Sequence, residues 1–360
     1  MRRLWKHPTW VAGLAVALAA CAPAPEHPPW HGADESDSPV KACLVSDQAG
    51  FNDKSFNQSA REGLDRAVAE LGVRSATTES SGPGDFKQNI ENLIAQNCTL
   101  IFGVAFTLND AIRNAAELNP DIDFVLIDSR ITKNFEEVQF PNAKALVFNT
   151  AEASFLAGYL SAGMSENGAV GTWGGMQIPP VVLFMDGYDE GVIAYNEAHG
   201  SDVRVLGWSN ADQSGSFAGG FQDQARGNQL TAGQISQGAD VIMPVAGNAG
   251  NGALAAARAN PGTAIVWVDF DGYETTDFGD LILTSVVKNV GQSVYDTIQS
   301  QLDGNFTPDA YIGNLANDGV GLAPFHEFED EVPQELKDEL DALRRQIIDG
   351  TLVIETVNQP

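Results

Sequence analysis

Three aspartates follow directly on short apolar runs: Asp47 after Val40 to Ser46, Asp128 after Phe124 to Ile127 and Asp269 after Ala264 to Val268. An ionised carboxylate accepts hydrogen bonds without donating them, and its two oxygens can serve two adjacent hydroxyls. Open α/β sheets bind ligands in the crevice beyond the carboxyl ends of their strands. Carboxylates standing there suit a small polyhydroxylated molecule. Phe106-Thr107, Trp173 to Gly175, Ser209-Asn210 and Gly247 follow other apolar runs in the same way. At Gly247 the missing side chain would let the backbone come close to a ligand.

Catalytic patterns are missing from this set. No GxGxxG or GxxxxGK[ST] loop follows a strand, so no dinucleotide or nucleotide triphosphate is expected as a cofactor. The glycine-rich stretch Gly247 to Gly252 opens a helix but lacks both that spacing and the lysine. Of the five histidines, His7, His27 and His31 lie near the amino terminus, while His199 and His326 are far apart and outside any metal-ligand spacing. No Gly-x-Ser-x-Gly elbow occurs. We therefore expect no catalytic residue, no metal and no cofactor: a binder rather than an enzyme.

The elements that must carry these residues alternate. Apolar runs of strand length are separated by stretches with helical spacing, from Phe56 to Leu71, Phe86 to Ala95 and Asn109 to Leu118. The alternation starts again at Ala145 and continues through Ala169 to Trp173, Val203 to Trp208, Val241 to Val245, Ala264 to Val268 and Leu281 to Val287. Such βαβ repetition predicts parallel sheets covered on both faces. Two successive arrays exceed one comfortable sheet, so the fold class expected is α/β, with two doubly wound lobes joined by a hinge. The 360 residues suffice for both cores. The expected boundaries are 40–148 plus about 285–325 for the first lobe and 149–284 for the second. A charged amphipathic segment within 326–360 should pack on one of them.

The ends and the charge add further limits. Arg2, Arg3 and Lys6 precede a short apolar run that stops at Leu18-Ala19-Ala20-Cys21. This predicts a secretory signal over 1–21 with a lipobox, Cys21 being the acylated residue of the mature protein. Residues 22–39, rich in Pro, Ala, Asp and Ser, read as a flexible tether. With 48 acidic against 20 basic residues the net charge is −28. That excludes general nucleic-acid binding, which needs a basic face, and fits either a saline habitat or ordinary solubility charge. Cys43 and Cys98 each lie a few residues before the end of a predicted strand. In an oxidising compartment this leaves one disulfide and two buried thiols both open.

The most specific stretch is Asp47-Gln48-Ala49-Gly50-Phe51-Asn52-Asp53-Lys54-Ser55-Phe56-Asn57-Gln58. With Phe102 to Phe106, Phe124 to Asp128, Glu152 to Tyr159, Gly215-Ser216-Phe217, Gly238 to Ile242, Val245-Ala246-Gly247, Trp267 to Asp271 and Ser285 to Asn289, in that order, it resembles the BMP (basic membrane protein) family. These are substrate-binding lipoproteins of ABC importers whose characterised members include purine nucleoside receptors. The resemblance covers about residues 40 to 355. It implies a type I periplasmic-binding-protein fold, a membrane permease as partner, a monomeric exported protein held to the membrane by its lipid alone, and a nucleoside such as adenosine, guanosine or inosine as ligand. It further implies that Phe56 and Phe217 stack on the two faces of the base, that Asp47 and Asn57 read its edge, and that Asp269 and Lys288 hold the ribose. Gly247 would offer backbone contacts, and Asp128 would line the cleft or anchor the hinge. Two departures, Phe270 for a small polar residue and Gly272 for a glutamine, stand beside the ribose residues. Another flat heterocycle or a sensor role would fit the same frame. A nucleoside-processing enzyme would need an aspartate cluster or a phosphate-binding arginine and serine set, and the pairs Asp269/Asp271 and Asn52/Asp53 are too isolated for that.

Overall fold

Five-residue apolar runs such as Leu100–Val104 and Val241–Val245 are buried along their whole length, the pattern of a strand covered on both faces of a parallel sheet. The computed structural model describes residues 37–53 and 56–360. The expected signal segment with Cys21, and the expected tether as far as residue 36, lie outside the described residues.

Two six-stranded sheets result. In the first, all parallel, the spatial order is Tyr311–Gly313, Ala143–Phe148, Asp123–Ile127, Leu100–Val104, Lys41–Val45 and Arg74–Thr78. The second runs Val320–Leu322, Ile282–Lys288, Ala264–Asp269, Val241–Val245, Ala169–Gly174 and Arg204–Leu206, with only the Val320–Leu322 edge antiparallel. Each sheet therefore winds outward in both directions from its first strand, the doubly wound order. Arg74–Thr78 was not marked in the sequence because RSATT carries no apolar run; at the sheet edge it needs none.

The first lobe was expected to take in residues from about 285 to 325. The structure divides that stretch more finely. Ile282–Lys288 and Val320–Leu322 pair in the second sheet, whereas Tyr311–Gly313 pairs in the first. Helix Val290–Leu302 crosses Phe56–Leu71 so tightly that a Cβ on Gly63 would stand 2.2 Å from the Gly291 carbonyl oxygen, which places it on the first lobe. The chain thus crosses between the sheets after Phe148, after Lys288 and between Gly313 and Val320. The crossings are tied together: the Asn149 amide donates to Gly313 O at 2.7 Å and the Asn289 amide to Gly319 O at 2.9 Å. Such an arrangement is a hinge of short, mutually bonded segments.

One apolar cluster joins the two sheets through the helix pair Thr150–Met164 and Pro179–His199, running from Leu44 and Phe102 to Val170 and Met243. Thr150–Met164 is buried nearly all round, and a Cβ on Gly158 would stand 2.0 Å from Tyr188 O. The amphipathic segment forms Gln334–Ile348 and buries Leu336, Leu340 and Ile347. A Cβ on Gly163 would meet Leu336, so it lies on the second lobe. Among the described residues no helix is long and apolar enough to cross a membrane.

Candidate functional site

Backbone strain marks the place first. Asp128 has φ 67°, Asp269 φ 71° and Ala105 φ 94°, all in the left-handed region, and Gly247 has φ 51°. Each ends or follows a strand that faces the space between the lobes. Residues other than glycine pay for this conformation, and it persists where surrounding structure over-determines it. Here it turns side chains and backbone into one cavity.

That cavity is lined by Asp47, Phe56, Asn57, Asp128, Gly247, Asp269 and Lys288, seven of the eight ligand residues expected from the sequence. Asp47 follows the first strand of its sheet and Ala105-Phe106 the third, so they flank the point where strand order reverses. Asp47 Oδ1 accepts the Ala49 amide at 2.9 Å and Asn57 Nδ2 at 3.1 Å. Burial holds its carboxyl above the usual range despite these two bonds, and Asp53 adds to the rise. Asn57 Nδ2 also donates to Asp53 Oδ2 at 2.9 Å. Its Oδ1 is buried with no partner among the described residues, an unusual state for a buried acceptor.

On the opposite side Lys288 Nζ donates to both oxygens of Asp128 at 3.0 Å and stands 3.6 Å from Asp269 Oδ1. Asp128 directly follows strand Asp123–Ile127 of the first sheet and Lys288 ends a strand of the second, so the pair bridges the lobes. Burial drives the Asp128 carboxyl up to about 6, against the pull of Lys288, and Asp269 pushes it further. Burial alone would lower the Lys288 ammonium; attraction to Asp128 and Asp269 and the hydrogen bonds to them outweigh this and hold it above its ordinary value. The ammonium also sits 5.3 Å from the centre of the Phe56 ring and 5.0 Å from that of Phe184, within cation–π range. Acceptors and a donor are therefore packed together beside aromatic faces.

Phe217, the eighth expected residue, is not among the residues that line this cavity. Its ring fills the space over Gly174, where a Cβ would come within 2.7 Å of it, and packs edge-on against Trp208 with centroids 5.9 Å apart. From the same glycine-rich loop, the ring that lines the cavity is Phe221. Its loop is held by the Gly220 amide donating to Gly175 O and by the Ala249 amide donating to Phe221 O at 2.9 Å. A usable signal lay two residues on, since Asp223 caps helix Gln224–Ser236 by accepting the Arg226 amide. The phenylalanine before that cap is held at the strand ends; the one before Gly219-Gly220 can turn back into the core. Phe184 and Val181, from the start of Pro179–His199, were also missed as lining residues, because their helix reads as core.

The two departures beside the ribose residues fall outside the cavity lining. Gly272 is enforced by Trp267, since a Cβ there would lie 2.6 Å from Trp267 Cβ. Phe270 borders a separate groove with Ser59, Arg66 and Asn289.

A hinged pair of doubly wound lobes with a strained, partly charged cavity between them is a fold suited to clamping a small solute. Several solved structures share this fold. An ABC transporter solute-binding protein from Aeropyrum pernix superposes with a TM-score of 0.76 at 23% identity, over 88% of this chain and 94% of that one. One from Conexibacter woesei gives 0.66 at 20%, over 88% and 99%. Residues 40–356 match the Bmp family, described as ABC transporter substrate-binding protein PnrA-like. A nucleoside-binding protein of an ABC transporter, BmpA of Lactococcus lactis subsp. cremoris, is 31% identical over 88% of this chain and 89% of its own. Basic membrane protein A1 of Borrelia garinii is 28% identical over 90% of each. The chain belongs to the Bmp family of ABC transporter substrate-binding proteins: it is a receptor for a solute, not an enzyme. Proteins of this class work on the extracytoplasmic face of the membrane and hand their ligand to a permease.

Proposed function

We propose that this protein is a lipid-anchored receptor for purine nucleosides such as adenosine, guanosine or inosine. The observation that carries the reading is the composition of one cavity: a phenylalanine from each lobe, Phe56 and Phe221, beside the cluster of Asp128, Lys288 and Asp269. A flat base between two rings gains about 0.5–1.5 kcal/mol per ring beyond burial. Asn57 Oδ1, without a partner among the described residues, suits a base N–H, and Asp269 with Lys288 suits adjacent ribose hydroxyls. The nucleoside-binding relative from L. lactis supports the same ligand class. Binding to one lobe and then bridging both biases an open–closed equilibrium toward closure. The Asp128–Lys288 bond across the lobes belongs to the closed side of that equilibrium.

A thermal-shift series with nucleosides, free bases, ribose, amino acids and flavins, followed by calorimetry, tests this. A purine nucleoside at 100 times its Kd should stabilise the protein by about 2.7 kcal/mol, with a weaker response to free bases and none to ribose. Silence toward every nucleoside beside a clear response to another class would overturn the ligand and leave the family assignment standing.

A further inference from the structure

The segment beyond helix Gln334–Ile348 has no regular structure, yet its last residues are tied to both lobes. Asp186, fully buried in helix Pro179–His199 of the second lobe, accepts Trp208 Nε1 and Gln213 Nε2 at 3.0 Å on one oxygen. Its other oxygen accepts the Thr356 hydroxyl and Asn358 Nδ2, the latter at 2.8 Å. Asn210 Nδ2 donates to Glu355 O at 3.0 Å. From this anchor the chain reaches over to the first lobe, where Arg130 Nη2 donates to the Pro360 carbonyl oxygen at 3.0 Å.

Between these attachments lies an apolar chamber walled by Phe106 and Phe148 of the first lobe, Ile178 and Leu183 of the second, and Asn358 to Pro360. Asp128, Phe106, Ile178 and Pro180 line both this chamber and the ligand cavity. The tail is thus the outer wall of a space that abuts the Asp128–Lys288 bridge. It is held at its end by polar contacts, and Val357 is 78% exposed. A segment so held belongs to the low-stability end of a fold and can detach without unfolding the lobes.

We propose that Thr356 to Pro360 form an interlobe strap, anchored at Asp186 and fastened to Arg130, that favours the closed arrangement of the lobes and slows release of the bound solute. A link made in the closed form and broken in the open one shifts the equilibrium by its own free energy. Arg130 acts as a positioning residue, without contact to the solute. The inference rests on the two-lobed clamp reading above and is independent of which solute is bound.

Two variants of the full chain test it: Arg130→Ala, and removal of Gln359 and Pro360, which leaves both tail donors to Asp186 in place. Small-angle scattering of the solute-free protein should give a larger radius of gyration for both, at an unchanged unfolding midpoint. With adenosine, guanosine or inosine as probe, dissociation should be about three- to tenfold faster and association little altered, the range expected for losing one part-exposed hydrogen bond of ordinary net strength. Glu137→Gln is the control, because Arg130 also stands 3.4 Å from Glu137; it should behave as wild type. Unchanged scattering and dissociation in both variants would overturn the strap, as would a Glu137→Gln protein that reproduced the Arg130→Ala effect. If no nucleoside binds even the wild type, the ligand reading fails while the scattering comparison still decides the strap.

Discussion

At the scale of single residues, the two phenylalanines of one glycine-rich loop divide the labour. Phe221 faces the cavity, and Phe217 wedges between Gly174 and Trp208. Their truncations should separate accordingly. Phe221→Ala should weaken nucleoside binding at least about tenfold, since it removes a stacking face and its burial, and should leave the solute-free midpoint nearly unchanged. Phe217→Ala should instead destabilise the solute-free protein by about 2–3 kcal/mol, somewhat below the cost of a fully buried phenylalanine. Calorimetry and thermal melts on both variants check the pair. A reversed pattern would return Phe217 to the site.

Among the elements, the edge strand and its neighbours are held by more than their ladders. Cys43 lies in Lys41–Val45, and Cys98 precedes the adjacent strand Leu100–Val104; the two form a disulfide, settling the alternative that the sequence left open. It closes a loop of 55 residues, which by chain entropy is worth up to about 4 kcal/mol. The double change Cys43→Ala with Cys98→Ala should lower the thermal midpoint and leave the affinity for nucleoside within about twofold, because neither cysteine lines the cavity. A midpoint that stayed put would mean that the crosslink adds nothing to the stability of the folded state. The compact exported lobe has a physical use for such a staple, since its sheet edge Arg74–Thr78 contributes little apolar burial.

For the whole molecule the dominant feature is charge. A net −28 opposes compaction by self-repulsion. Salt should relieve this, because the Debye length falls from about 10 Å at 0.1 M to about 3 Å at 1 M. The midpoint should therefore rise with sodium chloride across that range. A fall would mean that surface ion pairs outweigh the repulsion. The Asp128–Lys288 bridge is buried and screened far less, so closure itself should respond to salt much less than overall stability does.

Much of this design is written in local pattern. Alternating apolar runs and helical stretches point to two doubly wound lobes, because short apolar runs between helical stretches are the mark of strands covered on both faces of a parallel sheet. The strand-end positions Asp47, Asp128, Gly247 and Asp269 follow from that topology, which sends ligand residues to the carboxyl ends of strands. Phe56, Asn57 and Lys288 came from the resemblance and fall in the same cavity. What the chain does not reveal locally is where a side chain turns once its segment leaves regular structure. Whether Phe217 or Phe221 enters the cavity depends on Gly174, Gly175 and Trp208, which lie distant in sequence and meet the loop only in the folded lobe. The course of residues 282–322 between the sheets is likewise decided by pairing with strands formed far earlier in the chain. The tail at Asp186 and Arg130 is a tertiary matter altogether: its polar residues carry no periodicity, and they acquire meaning only when two lobes bring a buried carboxylate and a guanidinium within reach.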